Sequence, residues 1–178
     1  MAEPPERGAP ALLFAAVRLR CYVGEMKTGD KAPDFTLPTQ QGSNFNLGEA
    51  LQKGSVVLYF YPFDETPGCT AEACSFRDAY ETFKDAGAQV VGISSDSTEK
   101  HQRFATNHRL PFTLLSDTGG KIRKLYGVSN GLGVLPGRVT FVIDPKGMVR
   151  HVFNSLFNAT RHVTEALGVV KQLKPTAP

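Results

Sequence analysis

The stretch from Ser55 to Asp78 reads SVVLYFYPFDETPGCTAEACSFRD, and its two halves follow different periodicities. Ser55 to Tyr61 is an unbroken run of β-branched and aromatic residues, the composition of a strand covered on both faces. From about Pro67 to Ala86 the apolar positions Ala73, Phe76, Tyr80 and Phe83 recur at helical spacing, and Gly87 stands where a residue just past a helix C-terminus belongs. A buried strand handing directly to a helix is the first half of a βα unit, which points to an α/β domain.

Working outward, AQVVGIS (Ala88 to Ser94) reads as a second buried strand, and Asp96 or Ser97 is placed to cap the helix that follows. FTLLSD is a short strand and GGKIRKLYGV a short helix. RVTFVIDPKGMVRHVF supplies two strands around an Asp-Pro-Lys-Gly turn, and NATRHVTEALGVVKQL closes the chain as an amphipathic helix with Val163, Leu167, Val170 and Leu173 on one face. Upstream, DFTLPTQQGSNFNL alternates about a Gln-Gly-Ser turn, an N-terminal β-hairpin. The expected architecture is a three-layer α/β/α sandwich around a mixed central sheet, in one domain over residues 26–178.

The 178 residues, 41% hydrophobic and 21% charged, suit one ordinary globular domain with a real core. A net charge of +3 without a Lys/Arg-rich run lacks the electrostatic footprint of a nucleic-acid binder. No stretch approaches the roughly 20 apolar residues of a membrane span. Residues 1–25 differ in composition from the rest and are expected to stand outside the fold. Glu3 and Glu6 argue against a secretory signal there, leaving an organellar transit remnant or an upstream start before Met26. Three cysteines, an odd number, do not make a disulfide framework, which favours free or catalytic thiols in a reducing compartment. Cys21 lies in the N-terminal appendage and reads as incidental.

Cys69 and Cys74 carry the open question. The first amides of a helix point outward unpaired and the macrodipole is positive there, which favours the thiolate of a cysteine in the first turn. Pro67-Gly68 sets the turn, Thr66 offers a hydroxyl beside the sulfur, and Pro62 screens it without adding a donor. Two buried core thiols are an equally ordinary explanation of such a pair. A zinc site would need a Cys-x-x-Cys pair or clustered histidines. Here His101, His108, His151 and His162 are scattered singly, where exposed or core-edge positions are expected.

PFDETPGCT contains Pro62, Thr66 and Cys69 in the Pro-x-x-x-Thr-x-x-Cys spacing, directly after a predicted strand, and in this it resembles the peroxiredoxins. With GISSDS, LPFTLLSD and LPGRVTFVID, the wider string is similar to the subfamily called peroxiredoxin Q or bacterioferritin comigratory protein, over about Gly29 to Leu173. The resemblance implies a thioredoxin-like fold and a thiol peroxidase acting on hydrogen peroxide and organic hydroperoxides without cofactor or metal. It implies that Cys69 is the peroxidatic residue, that Thr66 hydrogen-bonds the peroxide, and that Arg138 and the amides near Gly68 and Cys69 stabilise the charge that develops. It further implies that Cys74 resolves the Cys69 sulfenic acid as an intramolecular disulfide, that thioredoxin is the reductant, and that the protein is a monomer. Residues i and i+5 of an ideal helix lie roughly 8.6 Å apart at Cα, whereas a disulfide needs less than about 7 Å, so the helix start must unwind. A cytoplasmic location is expected, with a plastid as the alternative if residues 1–25 are a transit remnant.

Three rivals stand beside this reading. A thioredoxin-type dithiol oxidoreductase would need Cys-x-x-Cys, and a glutathione peroxidase uses a tryptophan that this chain lacks. A binding or chaperone protein with idle cysteines would be indifferent to loss of Cys69.

Overall fold

A computed structural model of the chain describes residues 24–131 and 135–173. The expected appendage, Cys21 included, therefore falls almost wholly outside the described residues. The chain opens with β1 (Thr36–Pro38) and β2 (Asn44–Asn46), an antiparallel hairpin whose turn is closed by Gly42 N–H donating to Thr39 O at 3.0 Å. A short helix α1 (Leu47–Leu51) follows, capped by the Asn46 side chain. Then come β3 (Ser55–Phe60), α2 (Pro67–Asp78), α3 (Tyr80–Asp85), β4 (Ala88–Ser94), α4 (Thr98–His108), β5 (Thr113–Ser116) and α5 (Lys121–Leu125). The two-residue strands β6 (Asn130–Gly131) and β7 (Leu135–Pro136) precede β8 (Val139–Ile143), β9 (Val149–Asn154) and α6 (Ala159–Leu173).

The central sheet has five strands in the order β5-β4-β3-β8-β9. β3, β4 and β5 run parallel, and β8 and β9 are antiparallel additions. The Asp144–Gly147 turn joins β8 to β9, with Gly147 at φ +76° and its N–H donating to Asp144 O at 2.8 Å. β3 lies at the centre, every residue buried, and its period-two alternation divides the core. Val56, Leu58 and Phe60 face a cluster shared with α1, α5 and the hairpin, while Val57, Tyr59 and Tyr61 face one shared with α2, α3, α4 and α6. The result is three layers around a mixed sheet, as the sequence pattern indicates.

Three details depart from the sequence reading. The expected single helix to Ala86 is interrupted at Ala79 (φ −94°, ψ 1°), although Ala79 N and Phe83 N keep their i−4 acceptors. No Pro or Gly marks the break. It falls between Phe76 and Phe83, whose rings meet at 5.8 Å, with Phe76 also stacked on Tyr59 at 4.6 Å, so packing on the sheet overrides local propensity. The short elements α1, β6 and β7 carry too few residues to show a period. Two of the four histidines, His101 and His162, are fully buried rather than exposed or core-edge, because each satisfies both ring nitrogens inside the protein.

Candidate active site

Cys69 lies in the first turn of α2, whose N-cap is Thr66 and whose first residue is Pro67. Pro67 has no N–H to leave unpaired, and the first helical bond runs from Thr70 N to Thr66 O at 2.8 Å. The amides of Gly68 and Cys69 consequently have no acceptor within the helix. Thr66 does not cap them; its hydroxyl donates to Phe63 O at 3.2 Å. Cys69 is 1% exposed, and Pro62 in the preceding loop is buried.

Arg138 comes from the segment that leads into β8, the strand beside β3. It is buried, and donates from Nη2 to Cys69 Sγ at 3.3 Å and from Nε to Leu156 O at 3.2 Å. Its Nη1 bonds Glu72 Oε2. Burial disfavours the charge of Arg138, but Glu72 and Cys69 more than offset this and hold the guanidinium above its ordinary value. A Cβ on Gly68 would lie 3.2 Å from Arg138 Nη2, a tight contact that the guanidinium would have to yield to by a few tenths of an ångström.

Glu72 is fully buried, and that desolvation pushes its carboxyl up to about 8 while Arg138 pulls the other way. Its Oε1 has no hydrogen-bond partner among the described residues, with His162 Nδ1 beyond bonding reach at 3.7 Å. His162 Nε2 donates to Ser155 O at 2.9 Å, which leaves Nδ1 to accept from the Thr140 hydroxyl at 2.8 Å. Burial lowers His162 to about 4, so it is neutral near pH 7.

A raised carboxyl pKa has a signed consequence for stability. Between about 4.5, where the unfolded chain releases its proton, and about 8, where the native state does, the native state binds more protons, so stability falls as pH rises. Glu72→Gln should remove a slope of up to about 1.4 kcal/mol per pH unit in that window. Urea denaturation of both proteins from pH 5 to pH 8 measures it, and identical slopes would contradict the assignment.

The loop before Cys69 is tied to α4. Asp64 is buried, accepts from Tyr61 Oη at 2.6 Å, and lies 2.8 Å from His101 Nδ1, while His101 Nε2 donates to Leu115 O at 3.1 Å. Asp64 N donates to Asp96 Oδ2 at 2.7 Å. Glu65, at the left-handed φ of +62°, accepts from Asn107 Nδ2 at 3.0 Å and His108 Nε2 at 2.9 Å. At the far end of α2, Arg77 Nη1 donates to His108 O at 2.9 Å.

Cys74 is half-buried on the same unbroken helix as Cys69, and both thiols are free. Of the residues singled out from sequence, Cys69 and Arg138 meet in one buried site, and Pro62 is buried in the loop that leads to Cys69. Thr66 stands at its rim with the hydroxyl turned to Phe63, and Cys74 lies further along the helix. Sequence reading missed Glu72, Asp64, His101 and His162. Glu72 was accessible in principle, because i+3 from Cys69 shares its helix face. His162 likewise falls within the buried stripe of α6 with Ala159, Val163, Ala166 and Val170. Among the described residues no group of three or more His, Cys, Asp or Glu is placed to hold a metal, and no helix is long and apolar enough to cross a membrane.

Comparison with known proteins gives a consistent picture. Residues 28–152 match the model of the AhpC/TSA family. The chain is 48% identical over 166 residues to the chloroplastic peroxiredoxin Q of Triticum aestivum, covering 93% of this chain and 76% of that one. It is 50% identical over 161 residues to the chloroplastic peroxiredoxin Q of Sedum lineare, covering 90% and 86%. The crystal structure of peroxidoxin BcpB from Mycobacterium tuberculosis superposes with a TM-score of 0.79 at 43% identity, over 84% of this chain and 99% of that one.

Proposed function

The chain belongs to the AhpC/TSA family and is a thioredoxin-fold thiol peroxidase of the peroxiredoxin Q kind, and on that premise we propose that Cys69 is its peroxidatic residue and Cys74 its resolving one. Peroxides are its substrates and a thiol its reductant. The observation that carries the residue assignment is the placement of Cys69 Sγ, 3.3 Å from the buried Arg138 guanidinium in a helix turn whose Gly68 and Cys69 amides are unpaired.

The sulfur of the Cys69 thiolate attacks one peroxide oxygen, the O–O bond breaks, and the other oxygen leaves as water or alcohol after taking a proton. Charge passes from sulfur to the leaving oxygen, so donors fixed around that path stabilise the transition state more than the ground state. Arg138 and the two amides are such donors. Thr66 gives its own hydrogen to Phe63 O, which leaves its lone pairs free to accept the peroxide O–H. Pro62 keeps water from competing.

The Cys69 sulfenic acid then meets the Cys74 thiol, releasing water as the disulfide forms. Helical spacing keeps the two apart, so α2 unwinds first. Phe76, fully buried in the aromatic stack, and Arg77, held on His108 O, fix the end of the segment that unwinds, leaving Pro67 to Ser75 to move. Within it the Ser75 hydroxyl donates to Ala71 O at 2.8 Å, a back-bond that weakens a helix slightly.

Thioredoxin as reductant, action as a monomer, and both hydrogen peroxide and organic hydroperoxides as substrates complete the proposal. Location is proposed to be a plastid rather than the cytoplasm, on the strength of the two relatives named chloroplastic. Cys74→Ser tests the resolving role. Formation of the Cys69 sulfenic acid should proceed at the wild-type rate, whereas turnover with thioredoxin should fall by about tenfold or more, because a tethered thiol acts at an effective concentration far above that of the free reductant. Unchanged thioredoxin-coupled turnover would remove Cys74 from the cycle.

A further inference from the structure

Arg123 lies on α5, outside every motif around Cys69, and is 6% exposed. Its Nη1 donates to Gly137 O at 2.8 Å and its Nη2 to Tyr61 O at 2.8 Å. Those two carbonyls belong to the residues immediately before Pro62 and Arg138. They also mark the place where a ladder ends: β3 and β8 pair as far as Phe60 with Val139, and the next antiparallel partners would be Tyr61 and Arg138. There the strands part, one into the loop that carries Cys69 and the other into the segment that carries Arg138. The guanidinium fork spans the opening with two parallel-capable donors, which the single ammonium of a lysine does not reproduce.

The rest of the surroundings hold Arg123 in place. Asp117 accepts from the backbone amides of Ile122 at 3.2 Å and Arg123 at 2.9 Å, and the guanidinium lies 5.7 Å from the Phe60 ring centre. Gly137 is pressed against Ser129, since a Cβ there would be 2.2 Å from Ser129 O. Among the described residues no ion pair includes Arg123, in contrast to Arg138, which bonds Glu72. Burial lowers its pKa, while Asp117 and Cys69 act in the opposite sense, in keeping with its closeness to the reactive sulfur.

We propose that Arg123 is a positioning residue for the peroxide reaction: its guanidinium ties Tyr61 O to Gly137 O and so sets the separation between the Cys69 loop and Arg138. This rests on the reading of Cys69 as peroxidatic. A thiol can be alkylated without the aligned donors, whereas cleavage of O–O depends on them, so loss of the clamp separates the two reactions.

The test measures two rates at Cys69 in the full chain, sulfenic acid formation with hydrogen peroxide and alkylation by iodoacetamide, for wild type, Arg123→Lys and Arg123→Met. The peroxide rate should fall about 10-fold in the lysine variant and about 100-fold in the methionine variant, with alkylation within about threefold of wild type and a cooperative melt retained. If the methionine variant does not fold, the lysine variant decides. Folded variants with wild-type peroxide rates, or with both rates falling in parallel, overturn the proposal. A wild-type protein whose Cys69 reacts with iodoacetamide but not with peroxide overturns the peroxidatic reading itself, which is a distinct failure.

Discussion

Cys69→Ser is expected to abolish peroxide reduction, lowering turnover with any dithiol by at least about 10³-fold. A serine hydroxyl is protonated at neutral pH and does not accept oxygen from a peroxide, so no other part of the site substitutes for the sulfur. The fold should survive. The replacement keeps nearly the same volume in a position that is 1% exposed, and its oxygen can accept the bond that Arg138 Nη2 now gives to sulfur. Residual hydrogen peroxide consumption, measured beside a thermal melt, separates lost chemistry from lost structure. A folded variant within tenfold of wild type would contradict the assignment of Cys69.

Arg138→Met should lower kcat/KM for hydrogen peroxide by about 10² to 10³-fold, the usual consequence of removing one fixed donor from the path of developing charge. It should also change how stability depends on pH. Glu72, fully buried, loses the cation that favours its ionised form, so its carboxyl rises further above about 8 and holds its proton over a wider range. The native state then resists ionisation to higher pH, and the decline in stability with rising pH extends beyond the wild-type window. Adding Glu72→Gln to Arg138→Met should remove the extended decline without restoring activity. Recovery of activity in the double variant would show that Arg138 matters through Glu72 alone.

The parts of this protein that follow a period were legible in its sequence. β3, β4, β8 and β9 show as apolar runs, α2 and α6 through their helical stripes, and both hairpin turns through glycines that the structure places at positive φ, Gly42 at +81° and Gly147 at +76°. Cys69, Thr66, Pro62 and Arg138 were singled out by motif, and of these the structure brings Cys69 and Arg138 into contact. What stayed hidden was decided by tertiary contact. Helical spacing places Glu72 on the Cys69 face and His162 in the buried stripe of α6, but their partners, Arg138 and Thr140, come from a distant strand that spacing does not reveal. Arg123 belongs to a helix of five residues too short to show a pattern, and its meaning depends on two carbonyls 62 and 14 positions away. The break at Ala79 has no local signal either, because it is imposed by the aromatic packing beneath it.

The central claim is that one helix carries both a nucleophile and its resolver and must open between reactions. It is tested most directly by treating reduced protein with one equivalent of hydrogen peroxide and following the products by peptide mapping and amide exchange. A disulfide between the peptides containing Cys69 and Cys74 should appear, and exchange should accelerate in the helix-bonded amides from Thr70 to Ser75 while β3 and β4 stay protected. A Cys69 sulfenic acid that persists beside a free Cys74, or a disulfide formed with unchanged exchange in that segment, would contradict it.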